Sequence, residues 1–176
     1  MDDELRLRPV GEDDLPLLYR LTSDPSATGE YGWFGWQDPG VYRRPWEENG
    51  LLSDDDGMLV VAKGAESLGF MNWSKHQTAG VSYCWELGMA LAPEARGRGY
   101  GAQAMRLLAV YLFSHTLVNR IEALTETSNI AAQRALEKAG FTREGVLRGF
   151  GFRAGRWVDG VIYSLLRAEI DLAGTG

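Results

Sequence analysis

One short run restricts the fold of this chain more than any other: Arg96-Gly97-Arg98-Gly99-Tyr100-Gly101, between an apolar stretch ending Met89-Ala90-Leu91 and a helix-patterned stretch. Three glycines at alternate positions suit a backbone that turns sharply and brings its N–H groups close to a bulky partner. Pro93 ends the strand before the turn, and residues 100–116 carry Met105, Leu108 and Leu112 on one helical face. Strand, glycine turn and helix start together present unpaired N–H groups, the positive end of a helix dipole and two arginines to one spot. That is a site for an anion the size of a pyrophosphate. Two familiar pyrophosphate loops are excluded by spacing. No Gly-Lys-Ser/Thr follows, as a Walker A loop requires, and Gly97-x-Gly99-x-Gly101 departs from the G-x-G-x-x-G of dinucleotide-binding units.

The rest of the chain sorts by periodicity. Residues 5–9 alternate as a short edge strand. The acidic run Gly11-Glu12-Asp13-Asp14 opens a helix carrying Leu15, Leu18, Tyr19 and Leu21. Residues 24–57 hold three prolines and six aromatic residues (Tyr31, Trp33, Phe34, Trp36, Tyr42 and Trp46). They predict a long loop with a short helix at 41–49, and a long connection in a compact domain is often functional. Residues 58–63 and 68–75 predict a hairpin, 81–91 and 120–125 two further strands, and 129–139 a helix closed by Gly140. Residues 142–152 and 156–166 predict a last hairpin. This order gives a mixed α/β (α+β) fold rather than an alternating doubly wound one, in a single domain over residues 1–176.

Composition narrows the function. The chain has 176 residues, 45% of them hydrophobic, enough for a real core. Its net charge of −6 argues against nucleic acid as a partner, which needs clustered positive charge. No apolar run is long enough to span a membrane, and the acidic start lacks a secretory layout. A single cysteine, Cys84, forms no internal disulfide, so a cytoplasmic location is expected. His76 and His115 have no ligand spacing between them, and no metal site is expected.

Three stretches in order resemble the GNAT superfamily of N-acetyltransferases. The first is Arg96-x-x-Gly99-x-Gly101 after Pro93. The second is the helix from Asn129 to Ala139 followed by Gly140-Phe141. The third runs from Glu144 through Gly155-Arg156-Trp157-Val158-Asp159 to Tyr163-Ser164-Leu165-Leu166, and resembles the RimJ/RimL-like subgroup that acetylates ribosomal-protein N-termini. The resemblance implies a central, mostly antiparallel seven-stranded sheet with splayed middle strands, flanked by about four helices. It implies acetyl-CoA as donor substrate and no metal. Met89, Ala90 and Leu91 would pair with the pantetheine arm and polarise the thioester carbonyl. Arg96, Gly97, Arg98, Gly99, Tyr100 and Gly101 would hold the pyrophosphate. Asn129 would bond the arm, or cap its helix, or do both.

The acid and base are less conventional. Where many relatives have a tyrosine this chain has Leu136. Where the ribosomal subgroup often has a serine it has Ala132, and a hairpin carboxylate used by some of those enzymes aligns with Gly151. Glu86, on the strand before the turn, is the best candidate base, its alternative being a structural ion pair. Tyr163 could reach the thiolate, its alternative being a core tyrosine. The acceptor pocket is expected between the aromatic loop (Tyr31, Trp33, Phe34, Trp36) and Phe150 and Phe152 of the late hairpin. The expected reaction is direct transfer, in a ternary complex, to a small-molecule amine or a peptide N-terminus, by a monomer or homodimer. A catalytically weak acyl-CoA-binding domain and an O-acyltransferase are the alternatives.

Overall fold

The computed structural model describes residues 4–172. Strand β1 (Leu5–Pro9) leads through a 3-10 turn at Glu12–Asp14 into helix α1 (Leu15–Ser23), then α2 (Pro25–Thr28) and α3 (Arg43–Asn49). Strands β2 (Asp56–Lys63), β3 (Glu66–Ala79) and β4 (Ser82–Leu91) follow. Helix α4 (Tyr100–His115), β5 (Arg120–Glu126), α5 (Ile130–Ala139), β6 (Thr142–Arg153) and β7 (Arg156–Leu166) complete the order. The strands form one sheet, β1-β2-β3-β4-β5-β7-β6, antiparallel throughout except between β4 and β5.

This is the mixed, seven-stranded arrangement that the sequence implies. The differences have local causes. Helix α2 is a single turn inside the expected loop: Pro25 occupies its first position and the Asp24 carboxylate accepts the Ser26 N–H at 2.9 Å. Strand β3 runs four residues past the expected end at 75, because His76 and Gln77 pair with Cys84 and Tyr83 of β4 and Ala79 with Ser82, although the β3 side chains there are exposed. No apolar alternation marks such a stretch. Tyr42 and Trp46, read with the loop aromatics, pack against the core, where Trp46 Nε1 donates to the Val10 carbonyl at 2.9 Å.

Register separates the two sheet faces. Glu86 lies opposite Glu122, and Glu122 opposite Ser164; Leu87, Ala123 and Tyr163 make the adjacent row. Successive residues of a strand point to opposite faces, so these two rows do too. The Leu87 row is covered by α4 and α5. Trp85 Nε1 reaches Thr116 just past α4 at 3.2 Å, and the Tyr163 hydroxyl donates to Glu137 of α5 at 3.0 Å. Helix α4 buries Ala104, Met105, Leu108 and Leu112 there, the face that its spacing predicts. Gly140, with φ +97°, stops α5 in the left-handed cap conformation. Helix α1 packs on β3 and β4, and Tyr42 lies against Phe70 on the face away from α4.

One buried ion pair ties β1, α1 and β3 together. Arg8 donates to both oxygens of Asp14, at 2.6 and 2.8 Å, while Ser67 Oγ and the Gly11 N–H donate to the same carboxylate at 2.8 and 2.9 Å. Asp14 is only 4% exposed. The Arg8 hydrogen bonds, ahead of opposing burial, lower its pKa from 3.8 to about 2. A folded-state pKa below the unfolded one contributes stability above the unfolded value, and that stability is lost as pH falls through the folded one. Asp14→Asn is therefore expected to cost about 2 kcal/mol at pH 7, roughly a 5 °C drop in Tm. Thermal melts followed by circular dichroism should show the gap to the parent protein closing between pH 4 and about pH 2.

Candidate active site

Pairing between β4 and β5 stops at Leu87 and Ala123, yet β4 runs on to Leu91 and β5 to Glu126. The two strands diverge beyond that point. Residues 88–91 keep β3 on one side, so alternate N–H and C=O groups on the other side open into the wedge with no strand to take them. An extended ligand arm laid there can pair as an added strand.

The turn at the mouth of the wedge has the expected geometry. Gly97 and Gly99 have φ of +73° and +82°, a left-handed conformation that side chains resist, and Gly99 is the N-cap of α4. Gly101 serves differently: a Cβ there would lie 2.9 Å from the Met89 methyl, so its absence leaves room for that side chain beside the start of α4. The first N–H groups of α4 face outward beside Arg98, an exposed side chain with no ion pair among the described residues. Arg96 is committed elsewhere. Its Nε donates to the Leu91 carbonyl at 2.9 Å and its Nη2 to the Ala27 carbonyl, so it stitches α2 to the turn. Tyr100 lies half-buried under the Lys63 ammonium, 5.6 Å from its ring centre.

Asn129 is the N-cap of α5. Its Oδ1 accepts the Ala132 N–H at 3.2 Å, which leaves its amide NH2 as a donor beside the wedge. Capping and arm binding thus use different atoms. Leu136, where many relatives carry an acid, is 2% exposed and part of the core.

Glu86 is half-buried on the face away from α4, flanked by Ser74 on one neighbour strand and Glu122 on the other. Glu122 is bonded by Arg120, which also grips Glu144 at 2.8 Å; Ser164 Oγ donates to Glu144 at 2.7 Å. The Arg120 and Ser164 hydrogen bonds hold the Glu144 pKa down at about 2. Among these carboxylates the described residues give Glu86 no arginine or lysine partner. Cys84 sits on the same face, fully buried, its thiol pushed up to about 12 by burial and then by Glu122.

Tyr163 is not brought to this site. It faces α5 on the other side of the sheet, is 0% exposed, and its hydroxyl lies on Glu137. Burial, then that carboxylate, raises its pKa. It is the core tyrosine of the two alternatives. Phe152 also parts from the group: it pairs with Trp157 in a T-shaped contact on Tyr163's face. Phe150 does join. A bulge between Leu147 and Gly151, pinned where the Gly149 N–H donates to Asp159 at 2.7 Å, lays its ring over Gly160 on the Glu86 face.

The aromatic loop is bolted to the rim of this face. The Tyr31 hydroxyl donates to the Ser128 carbonyl at 3.0 Å, so Tyr31 anchors the loop. Trp33 is half-buried and meets Trp36 edge-on at 5.1 Å; Phe34 and Trp36 are exposed. Trp36 roofs a cleft of about 420 Å³ lined by Tyr19, Arg20, Ser23, Asp24 and Pro25. Sequence reasoning missed Arg153 and Glu126. They form a nearly buried ion pair under Tyr31, and nothing in their local spacing marks it.

Among the described residues no cluster of His, Cys, Asp and Glu could hold a metal ion, and no helix is long and apolar enough to cross a membrane.

Comparison with known proteins agrees with this geometry. Residues 4–142 match the acetyltransferase (GNAT) domain. The chain is 34% identical to the uncharacterized N-acetyltransferase p20 of Bacillus licheniformis over 95% of each protein. In fold it is similar to the spermidine N-acetyltransferase of Vibrio cholerae in complex with CoA and spermine (TM-score 0.78, 20% identity, 94% of this chain and 96% of that one). It is also similar to Mycobacterium smegmatis RimJ in complex with CoA-disulfide (TM-score 0.73, 20% identity, 94% and 83%). A wedge with free strand amides, a left-handed glycine turn at a helix start, and a family match over most of the chain lead to one conclusion: this chain belongs to the GNAT family of acetyl-CoA-dependent N-acetyltransferases.

Proposed function

We propose that this enzyme acetylates the primary amine of a small molecule or a peptide N-terminus by direct transfer in a ternary complex, with Glu86 as the base. The observation that carries this is the half-buried Glu86, without a basic partner among the described residues, on the face where the wedge opens beneath the aromatic loop. Gly97, Arg98, Gly99, Tyr100 and Gly101 would hold the pyrophosphate, with Arg96 shaping the turn through the Leu91 carbonyl. Met89, Ala90 and Leu91 would pair with the arm, and Asn129 would donate to it from its free NH2. An N–H of residues 89–91 would polarise the thioester carbonyl.

The acceptor arrives as an ammonium and must lose a proton before its nitrogen can attack. Glu86 takes that proton, directly or through a water. The nitrogen lone pair forms the new C–N bond, the nitrogen releases its second proton to solvent, the C–S bond breaks, and sulfur keeps its electrons as a thiolate. A thiol of pKa ~8.5 is a fair leaving group, and solvent returns the proton. Leu136 and Ala132 therefore do not block turnover by failing to supply an acid. Trp33, Phe34 and Trp36 would line the acceptor's path with Phe150 across from them. A cationic amine suits the Glu86 carboxylate and the overall charge of −6.

Release of free CoA from acetyl-CoA, followed against a panel of polyamines, amino acids, arylalkylamines and short peptides, tests the activity. Acceptor-dependent release is expected, and tight CoA binding with no release across the panel would overturn it.

Four variants test the parts. Gly99→Val should fold yet lose CoA binding, because its φ of +82° is closed to a β-branched residue; calorimetry showing unchanged affinity would move the pyrophosphate elsewhere. Glu86→Gln should lower turnover by ~10² while CoA affinity holds, and should flatten the acidic limb of the pH profile. A near-normal rate from pH 6 to 9 would make Glu86 structural. Trp33→Ala and Trp36→Ala should raise the acceptor KM and leave the CoA Kd fixed. Equal damage to both constants would make these rings part of the scaffold.

A further inference from the structure

We propose that Arg153 is a positioning residue for the acceptor: it clamps the aromatic loop to the end of β5, and so sets where Trp33 and Trp36 stand relative to the wedge. This rests on the acceptor site proposed above.

Arg153 is the last residue of β6, and its side chain is 7% exposed. Its guanidinium is used in three directions. Nε and Nη2 grip both oxygens of Glu126, the last residue of β5, the second at 2.9 Å. Nη1 donates to the Glu30 carbonyl at 2.6 Å. The plane lies against the Tyr31 ring, 5.3 Å from its centre. The same tyrosine reaches past it to the Ser128 carbonyl, next to Asn129. One planar cation therefore joins the loop, the end of β5 and the late hairpin. Lysine's point-like ammonium lacks the planar fork that grips both Glu126 oxygens while a separate nitrogen reaches Glu30.

The hairpin holds this arginine firmly. Ala154 and Gly155 make a two-residue turn with φ of +51° and +80°, which fixes Arg153 opposite Arg156. Two like charges directly across a strand pair are unfavourable, and Ala154 sits in a conformation that non-glycine residues rarely adopt. A position that carries both costs, and whose side chain bonds the loop backbone at Glu30, is better explained by placement of the loop than by stability of the hairpin. The neighbouring Gly29, with φ +74°, lies on Arg96 of the glycine turn, so two arginines, Arg96 at Ala27 and Arg153 at Glu30, hold the start of the loop.

The test has two arms on the full chain, with Arg153→Gln and Arg153→Lys. In hydrogen exchange without ligand, amides of residues 29–36 should exchange about tenfold faster in both variants, with β4 and α4 unchanged. In steady-state assays with an amine accepted by the parent enzyme, the acceptor KM should rise about tenfold, with kcat and CoA affinity held within about twofold. Arg153→Lys, which keeps the charge opposite Glu126, carries both arms if Arg153→Gln does not fold. Unchanged exchange at 29–36, exchange raised throughout the chain, or a fall in kcat at constant KM would overturn the proposal. The exchange arm needs no acceptor. It decides the attachment of the loop even if every amine of the panel is refused, an outcome that would instead overturn the proposed reaction.

Discussion

Strands β4 and β5 meet in register through three residue pairs and then part. Backbone amides at that depth are normally paired, and leaving them open is costly unless a ligand or water takes them. The remaining architecture manages this gap. β3 and β7 hold the outer edges of the diverging strands, α4 and α5 close one face, and Gly101 leaves room for the Met89 side chain where α4 starts. The single parallel pair follows from the same design, since α4 has to cross over between its two strands and its N-terminus must end at the mouth of the wedge.

Arginines add to apolar contacts in fastening the segments around the wedge. Arg8 joins the first strand and helix to β3, Arg96 joins α2 to the glycine turn, and Arg153 joins the loop to β5 and β6. Arg167 closes the far end by donating to the carbonyls of Phe113, Thr116 and Val118. A guanidinium can bond carbonyls or carboxylates from several segments at once, which suits places where irregular backbone has no ladder partner. Such ties are directional. They fix a loop in one geometry, as apolar packing of exposed rings like Trp36 and Phe34 would not.

What could be read from the sequence was local. The glycine turn, the helix from Asn129 and the stop at Gly140 each show within a few residues, because positive φ and helix capping are short-range demands. The opening of β4 and β5 came only through resemblance, since no residue pattern announces where pairing will cease. The loop clamp was illegible for a different reason. Arg153 and Glu126 lie 27 residues apart, Arg96 and Ala27 69, and Tyr31 and Ser128 97. The aromatic loop shows the same limit within itself. Its rings have no period that separates Tyr42 and Trp46, which pack with the core, from Phe34 and Trp36, which do not. Tyr163 is expected at the chemistry from its place on the last strand and Phe152 from the family's use of the late hairpin, but strand alternation turns both to the other face.

Cys84 gives the enzyme an unusual convenience. It is the single cysteine of the chain, fully buried, and its thiol is held protonated to about pH 12. Only the thiolate attacks disulfide reagents. A chromogenic disulfide added to a reaction at neutral pH therefore meets one responsive sulfur, that of the product, and the folded protein contributes no background. The same silence ends when the chain opens. One equivalent of new colour per chain then counts unfolded molecules, so a single reagent serves as a turnover meter for the native enzyme and a clock for its denaturation.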